Sequence, residues 1–375
     1  MARIFLLLLV VTPQWVFSQA QFNVQLQNYS LHPDTYSFRL STSGGSTGYY
    51  DMTSWESSPY TQGHMNYFQN FRMNYRLLYP GGYNVNYAPG YPLILMVHGA
   101  GERGNCWSTS CWFATNKWNP ITNDPQAGPT TNPRLLNNDH NLIHGGRPHL
   151  DAVNLAGSKL PNDPTLDSRA FPGFVLFPQC LNNWNGGQIE DVLRLVYLLM
   201  NDPAINIDPN RIYVHGLSLG AENIITALKR DPSLFACAAL MSPSNSDTKV
   251  RNDTTISNVP LWVFQGGRDS NPSPNKTQNL KRWFEELGGS VRYTLYPNLG
   301  HGTWNTAYAE PDFFTWFLEK RRNNLFVYYG DSTLCSTNNK GVKLGMPHDT
   351  RYRKGDGTLA NNVNDIDAYQ WEKDG

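Results

Sequence analysis

A serine flanked by glycines is the first feature of the chain that could do chemistry. Gly216-Leu217-Ser218-Leu219-Gly220 follows the strand-like run Arg211-Ile-Tyr-Val-His and leads into Ala221 to Lys229, a helix pattern. A strand that turns sharply into a helix leaves little room, so small residues must flank the turn. The turn also exposes the serine oxygen at a helix N-terminus, where the dipole favours developing negative charge. A serine hydroxyl is a poor nucleophile unless a base takes its proton. His301, in Asn298-Leu-Gly-His-Gly-Thr-Trp304, follows the last predicted strand and precedes the last predicted helix, where such a base is needed. Asp269 closes Leu261-Trp-Val-Phe-Gln-Gly-Gly-Arg-Asp, an apolar strand with a glycine turn, and is placed to orient the imidazole. Asp253 competes for that role but sits in a polar stretch rather than at a strand end. His348 also follows the serine, in a tail of different composition, whereas His32, His64, His140, His144 and His149 precede it. His98 and His215 fall within strand patterns and are expected to shape loops rather than move protons.

An acyl group attacked by Ser218 needs donors for its oxyanion. The backbone N–H of Leu219 is one. The other is expected from His98-Gly99-Ala100-Gly101, where glycines let the backbone approach a ligand. Ala100 N–H is the nominee, with Gly101 beside it as a further contact. Trp184 and Trp304 border the site by position and are expected to touch substrate. Trp107, Trp112 and Trp118 could wall an acyl group or a sugar. This chemistry requires no metal and no organic cofactor. The five cysteines, Cys106, Cys111, Cys180, Cys237 and Cys335, lack zinc-site spacing. Cys237 lies in an apolar run and is expected to be a buried free thiol.

The elements that must position these residues are legible as an alternation. Strands are predicted at 71–79, 91–98, 174–177, 211–217, 236–241, 261–265 and 291–296. Helices are predicted at 188–200, 221–229, 276–287 and 312–321. Alternating strands and helices imply a mostly parallel sheet covered on both faces, with ligands at the carboxyl ends of the strands. Residues 21–70 read as weakly defined lead-in strands. Residues 105–170 read as a long irregular insertion near the site.

The termini and the charge bound the setting. Arg3, the apolar run Ile4–Val11 and Ser18-Gln19-Ala20 have the layout of a secretory signal peptide over residues 1–20, too short to span a bilayer comfortably. No membrane span is expected in the mature form. Lys and Arg number 30 against 30 Asp and Glu, so a polyanionic partner such as nucleic acid is not expected. Residues 326–375 read as a linker and the truncated start of an immunoglobulin-like β module, following a domain over 21–325.

Four motifs stand in order along the chain: HGAGERG at 98–104, FPQC at 177–180, RIYVHGLSLG at 211–220, and GGRD at 266–269 with GHGTW at 300–304. Over roughly 70–325 the chain resembles the secreted esterases and peptidases related to polyhydroxybutyrate depolymerases and feruloyl or acetyl-xylan esterases. Leu219 stands where that family commonly has Met, and Gly220-Ala221-Glu222 closes the turn in place of a Gly-Gly pair. The resemblance implies an α/β-hydrolase fold, a Ser218–His301–Asp269 triad, and carboxylic esters as substrates, polysaccharide-linked or polyester. It also implies that the strand ending at Cys180 neighbours the one before the insertion. A disulfide from Cys180 to Cys106 or Cys111 would then be within reach. A secreted serine peptidase on the same fold and a non-catalytic polysaccharide-binding module are the alternatives.

Overall fold

The computed structural model describes residues 26, 28–34, 60–68, 70–105, 112–113, 140–142, 144–180, 183–244, 246–251 and 256–322. The expected signal peptide and C-terminal module, Asp253, His348, Cys106, Cys111, Trp107 and Trp118, and the side chain of Trp112, lie outside the described residues, and with them the expected disulfide.

Among the described residues, nine strands form one sheet. They are β1 (Tyr29–Asp34), β2 (Tyr60–Tyr67), β3 (Asn70–Leu78), β4 (Tyr91–Val97), β5 (Phe174–Gln179), β6 (Ile207–Leu217), β7 (Cys237–Met241), β8 (Leu261–Gly266) and β9 (Val291–Tyr296). Their spatial order is β1-β2-β3-β5-β4-β6-β7-β8-β9. The first three strands and β5 pair antiparallel, and every pair from β5 to β9 is parallel. The chain leaves β4 toward β5 on one side and then returns to β6 on the other. That reversal opens a crevice at the carboxyl end of β4.

The central strands β4, β5, β7 and β8 are buried along their whole length because both faces are covered. On β4, Leu93, Leu95 and Val97 pack into one core while Ile94 and Met96 pack into the other. The first core is closed by α2 (Gly186–Asn201), α3 (Leu219–Arg230), α4 (Ser246–Val250) and α5 (Pro274–Glu286). The second is closed by α1 (Gly146–Ala156), α6 (Trp304–Tyr308) and α7 (Phe313–Leu318). This is the expected α/β-hydrolase fold.

Two expectations need correction. The insertion is not wholly irregular, because its end contains α1. Gly145, Gly146 and Pro148 disguised that helix, yet His149, Ala152, Val153 and Ala156 form a buried stripe at helical spacing. The last helix, expected at 312–321, is present as the shorter α7, and a further short helix that the sequence does not announce, α6, precedes it. Pro311, which has no N–H to donate, separates them.

Candidate active site

Ser218 joins β6 to α3 with φ 52° and ψ −119°. A non-glycine residue held there costs about 1–3 kcal/mol and persists only where the surroundings over-determine it. Here its N–H donates to the Met241 carbonyl of β7 at 2.8 Å, and its carbonyl accepts the Glu222 N–H at 3.0 Å. The flanking glycines are required by contact. A Cβ on Gly220 would come within 2.0 Å of the Val97 carbonyl oxygen, and one on Gly216 within 2.5 Å of the same atom.

The loops after β8 and β9 bring Asp269 and His301 to this turn. His301 Nε2 lies 2.8 Å from Ser218 Oγ, and Nδ1 lies 2.8 Å from Asp269 Oδ2. A carboxylate oxygen can only accept, so Nδ1 carries the proton and Nε2 faces the serine as acceptor. The second oxygen, Asp269 Oδ1, accepts the Asn271 N–H at 2.9 Å. The Asp269 side chain is 3% exposed and that of His301 37%, so the carboxylate is enclosed and the imidazole is open.

Ser242, which sequence reasoning missed, holds the backbone of His301 from behind. It ends β7 with φ 48° and is fully buried. Its Oγ donates to the His301 carbonyl at 2.7 Å, and Thr303 N–H donates to the same carbonyl at 2.9 Å. With that proton spent, Ser242 Oγ accepts from Thr303 Oγ1 at 2.9 Å. The available signal was position alone: a Ser-Pro step ends the strand between those that lead to Ser218 and to Asp269.

After β4, His98 and Gly99 lead into a short 3-10 turn, Ala100–Glu102. A Cβ on Gly99 would come within 2.5 Å of Leu217 Cδ1. The segment carrying Ala100 and Gly101 therefore lies against the turn carrying Leu219, the first residue of α3. The Leu219 N–H is one of the first four of its helix, which have no intrahelical partner.

The two tryptophans part company. Trp304 is partly exposed and stands edge-on to His301, with ring centroids 5.9 Å apart. Trp184 is 1% exposed, and its indole N–H donates to the His98 carbonyl at 2.8 Å. A buried indole with its donor spent offers no face to a ligand, so Trp184 supports the loop instead of contacting substrate.

Three other histidines are buried and neutral. Burial, ahead of all other influences, brings His98 and His149 down to about 4 and His215 well below its ordinary value. His98 Nδ1–H donates to the Gly99 carbonyl at 2.8 Å, while Nε2 accepts the Cys180 N–H at 2.9 Å. It thus ties the loop after β4 to the end of β5. His149 Nδ1–H donates to the Gly145 carbonyl at 2.6 Å, which leaves Nε2 to accept from His215 Nε2–H at 2.8 Å. Cys237 is a buried free thiol, as expected. No group of three or more His, Cys, Asp or Glu among the described residues could hold a metal ion. No described helix is long and apolar enough to cross a membrane.

The chain matches no family model and no curated protein. Among solved structures it is similar to a thermostable esterase, at 23% identity and TM-score 0.47, covering 80% of this chain and 64% of that one. It is also similar to a ferulic acid esterase of Anaeromyces mucronatus in complex with ferulic acid, at 15% identity and TM-score 0.43, covering 75% of this chain and 98% of that one. A third is an acylaminoacyl peptidase of Pyrococcus horikoshii, at 11% identity and TM-score 0.41, covering 72% of this chain and 42% of that one.

Proposed function

We propose that the chain is a secreted serine carboxylesterase acting on polymer-linked esters, feruloyl or acetyl polysaccharide or polyester. The observation that carries the hydrolase reading is the line Ser218–His301–Asp269, two hydrogen bonds of 2.8 Å at the carboxyl ends of three strands. Ser218 attacks the ester carbonyl as His301 Nε2 takes its proton, and Asp269 holds the ring and stabilises the imidazolium. The N–H groups of Leu219 and Ala100 receive the oxyanion. His301 then protonates the leaving alcohol, and a water activated by the same ring frees the acid. The preference for polymer-linked esters rests on the motif resemblance, and secretion on the N-terminal pattern.

The test is hydrolysis of a p-nitrophenyl ester series, with Ser218→Ala beside the unaltered chain. Turnover that disappears in the variant supports the reading. Release of ferulate or acetate from substituted xylan, set against cleavage of peptides, then separates esters from amides. Turnover that survives in Ser218→Ala removes the assigned nucleophile.

A further inference from the structure

The carboxylate of Glu102 takes no part in the Ser218–His301–Asp269 line, yet it belongs to the same turn as Ala100. It closes the Ala100–Glu102 turn and is 3% exposed. A carboxylate taken out of water costs several kcal/mol unless it is paired, so its presence needs a partner. The partner is His144, whose Nε2 lies 2.9 Å from Glu102 Oε1. Burial alone would raise the Glu102 carboxyl, but the hydrogen bond and charge of His144 outweigh it and hold the group below its ordinary value. Glu102 Oε2 is buried without a hydrogen-bond partner among the described residues, on the side of Gly99, where a Cβ would approach it to 2.9 Å. The side chain that holds the carboxylate is therefore the His144 imidazole, acting on Oε1, with the backbone of Glu102 itself as a lesser support.

His144 is itself set from two directions. It lies just before α1, at the end of the insertion. The segment leading to it is pinned to β5. Asn141 N–H donates to Gln179 Oε1 at 2.9 Å, and Asn141 Nδ2 donates to the Phe177 carbonyl at 2.6 Å. Gln179 Nε2 in turn donates to the Glu102 carbonyl at 2.8 Å. On the other side the His144 ring packs on Trp304, with centroids 5.1 Å apart and planes at 43°. Trp304 stands edge-on to His301. One side-chain bridge, Glu102–His144–Trp304, thus joins the turn carrying Ala100 to the loop carrying the base.

We propose that Glu102 and His144 are positioning residues for acyl transfer, holding the Ala100 turn in register with His301 so that oxyanion donor and base act on one carbonyl. This rests on the hydrolase reading above. Neither residue meets the reacting atoms. Both act through the placement of groups that do, and a displacement near 1 Å at such groups can cost about a hundredfold in rate.

The experiment uses the full chain with His144→Ala, His144→Gln and Glu102→Gln. Active sites are counted with a fluorophosphonate. The kcat per counted site and KM are measured on a short-chain p-nitrophenyl ester, together with affinity for a phenylboronic acid and Tm. In His144→Ala, kcat per site is expected to fall about thirtyfold with KM within about twofold, and boronate affinity to fall in parallel, because only the tetrahedral state uses the misplaced donor. His144→Gln, whose amide can still donate to Glu102, is expected to recover most of the loss. Glu102→Gln keeps the shape, removes the charge and should lose about tenfold. Unchanged kcat per site and boronate affinity in His144→Ala and Glu102→Gln, with only Tm or the count of sites reduced, would make the pair an ordinary packing element and overturn the proposal. If the unaltered chain is not labelled at Ser218, the hydrolase reading falls and takes this inference with it.

Discussion

Asp269 presents one carboxylate oxygen to His301 Nδ1 at 2.8 Å and keeps the other on the backbone N–H of Asn271 at 2.9 Å. Its orientation is fixed at both ends, so the imidazole it faces has one tautomer available. Asp269→Asn would offer an N–H where an acceptor is needed and favour the opposite tautomer. The expected loss in kcat is about 10³–10⁴-fold. Steady-state turnover with Tm as a folding control checks it, and a variant within tenfold of the parent would deny Asp269 the role.

Ser242 donates to the carbonyl of His301, not to its ring. Ser242→Ala removes that donor and leaves Thr303 Oγ1 without its acceptor. A buried hydrogen bond lost in this way costs about 1–3 kcal/mol. The loop should loosen enough to lower kcat about tenfold while KM stays put. Urea unfolding and turnover on the same samples test both halves. Full stability and full activity in the variant would show that Thr303 N–H alone suffices.

How much of this was legible beforehand depends on whether an interaction is local in the chain. The turn at Ser218 announces itself because strand, small residues and helix are contiguous. Asp269 and His301 are found because each follows a strand. The Ser242 tether and the Glu102–His144 pair could not be read, since they join residues 59 and 42 apart that become neighbours only through strand order. Trp184 was misread for the same reason. It borders the site in sequence, yet its side chain points into the core beneath His98. The α1 helix was hidden by glycine and proline at its start, although its buried stripe was present.

Acid should weaken the fold through its neutral imidazoles. His98 and His149 stand at about 4 when folded, against an ordinary 6.5, and burial also holds His215 well below its ordinary value. As pH drops below about 6.5 the unfolded chain takes up protons that the native rings refuse, so stability rises with pH. The contribution is complete above the ordinary value and is lost on the way down toward 4. Each ring accounts for at most about 1.4 kcal/mol per pH unit in that window. Urea unfolding at pH 7.5, 6 and 5 measures the slope, and a flat profile would mean that the pair reorganises to accept charge.

Gly220→Ala should be among the most damaging single changes in the domain. The added carbon would sit 2.0 Å from the Val97 carbonyl oxygen and 2.5 Å from that of His98. Both are backbone atoms, and neither can swing aside. Overpacking of this kind costs about 1–3 kcal/mol or more, and the forced shift would separate β4 from the serine turn. The expected outcome is a lowered Tm together with loss of fluorophosphonate labelling. A variant with parental Tm and labelling would show that the turn can translate as a unit.

The end of β7 bears on how the site tolerates motion. Met241 accepts the N–H of Ser218, and its neighbour Ser242 grips the carbonyl of His301. Ser218 and His301 are therefore moored to one dipeptide step. When that step drifts, both drift with it, and a shared displacement cancels from the gap between them. The separation that proton transfer depends on is shielded from common-mode noise. The surrounding scaffold can then breathe by amounts that would ruin two independently anchored partners.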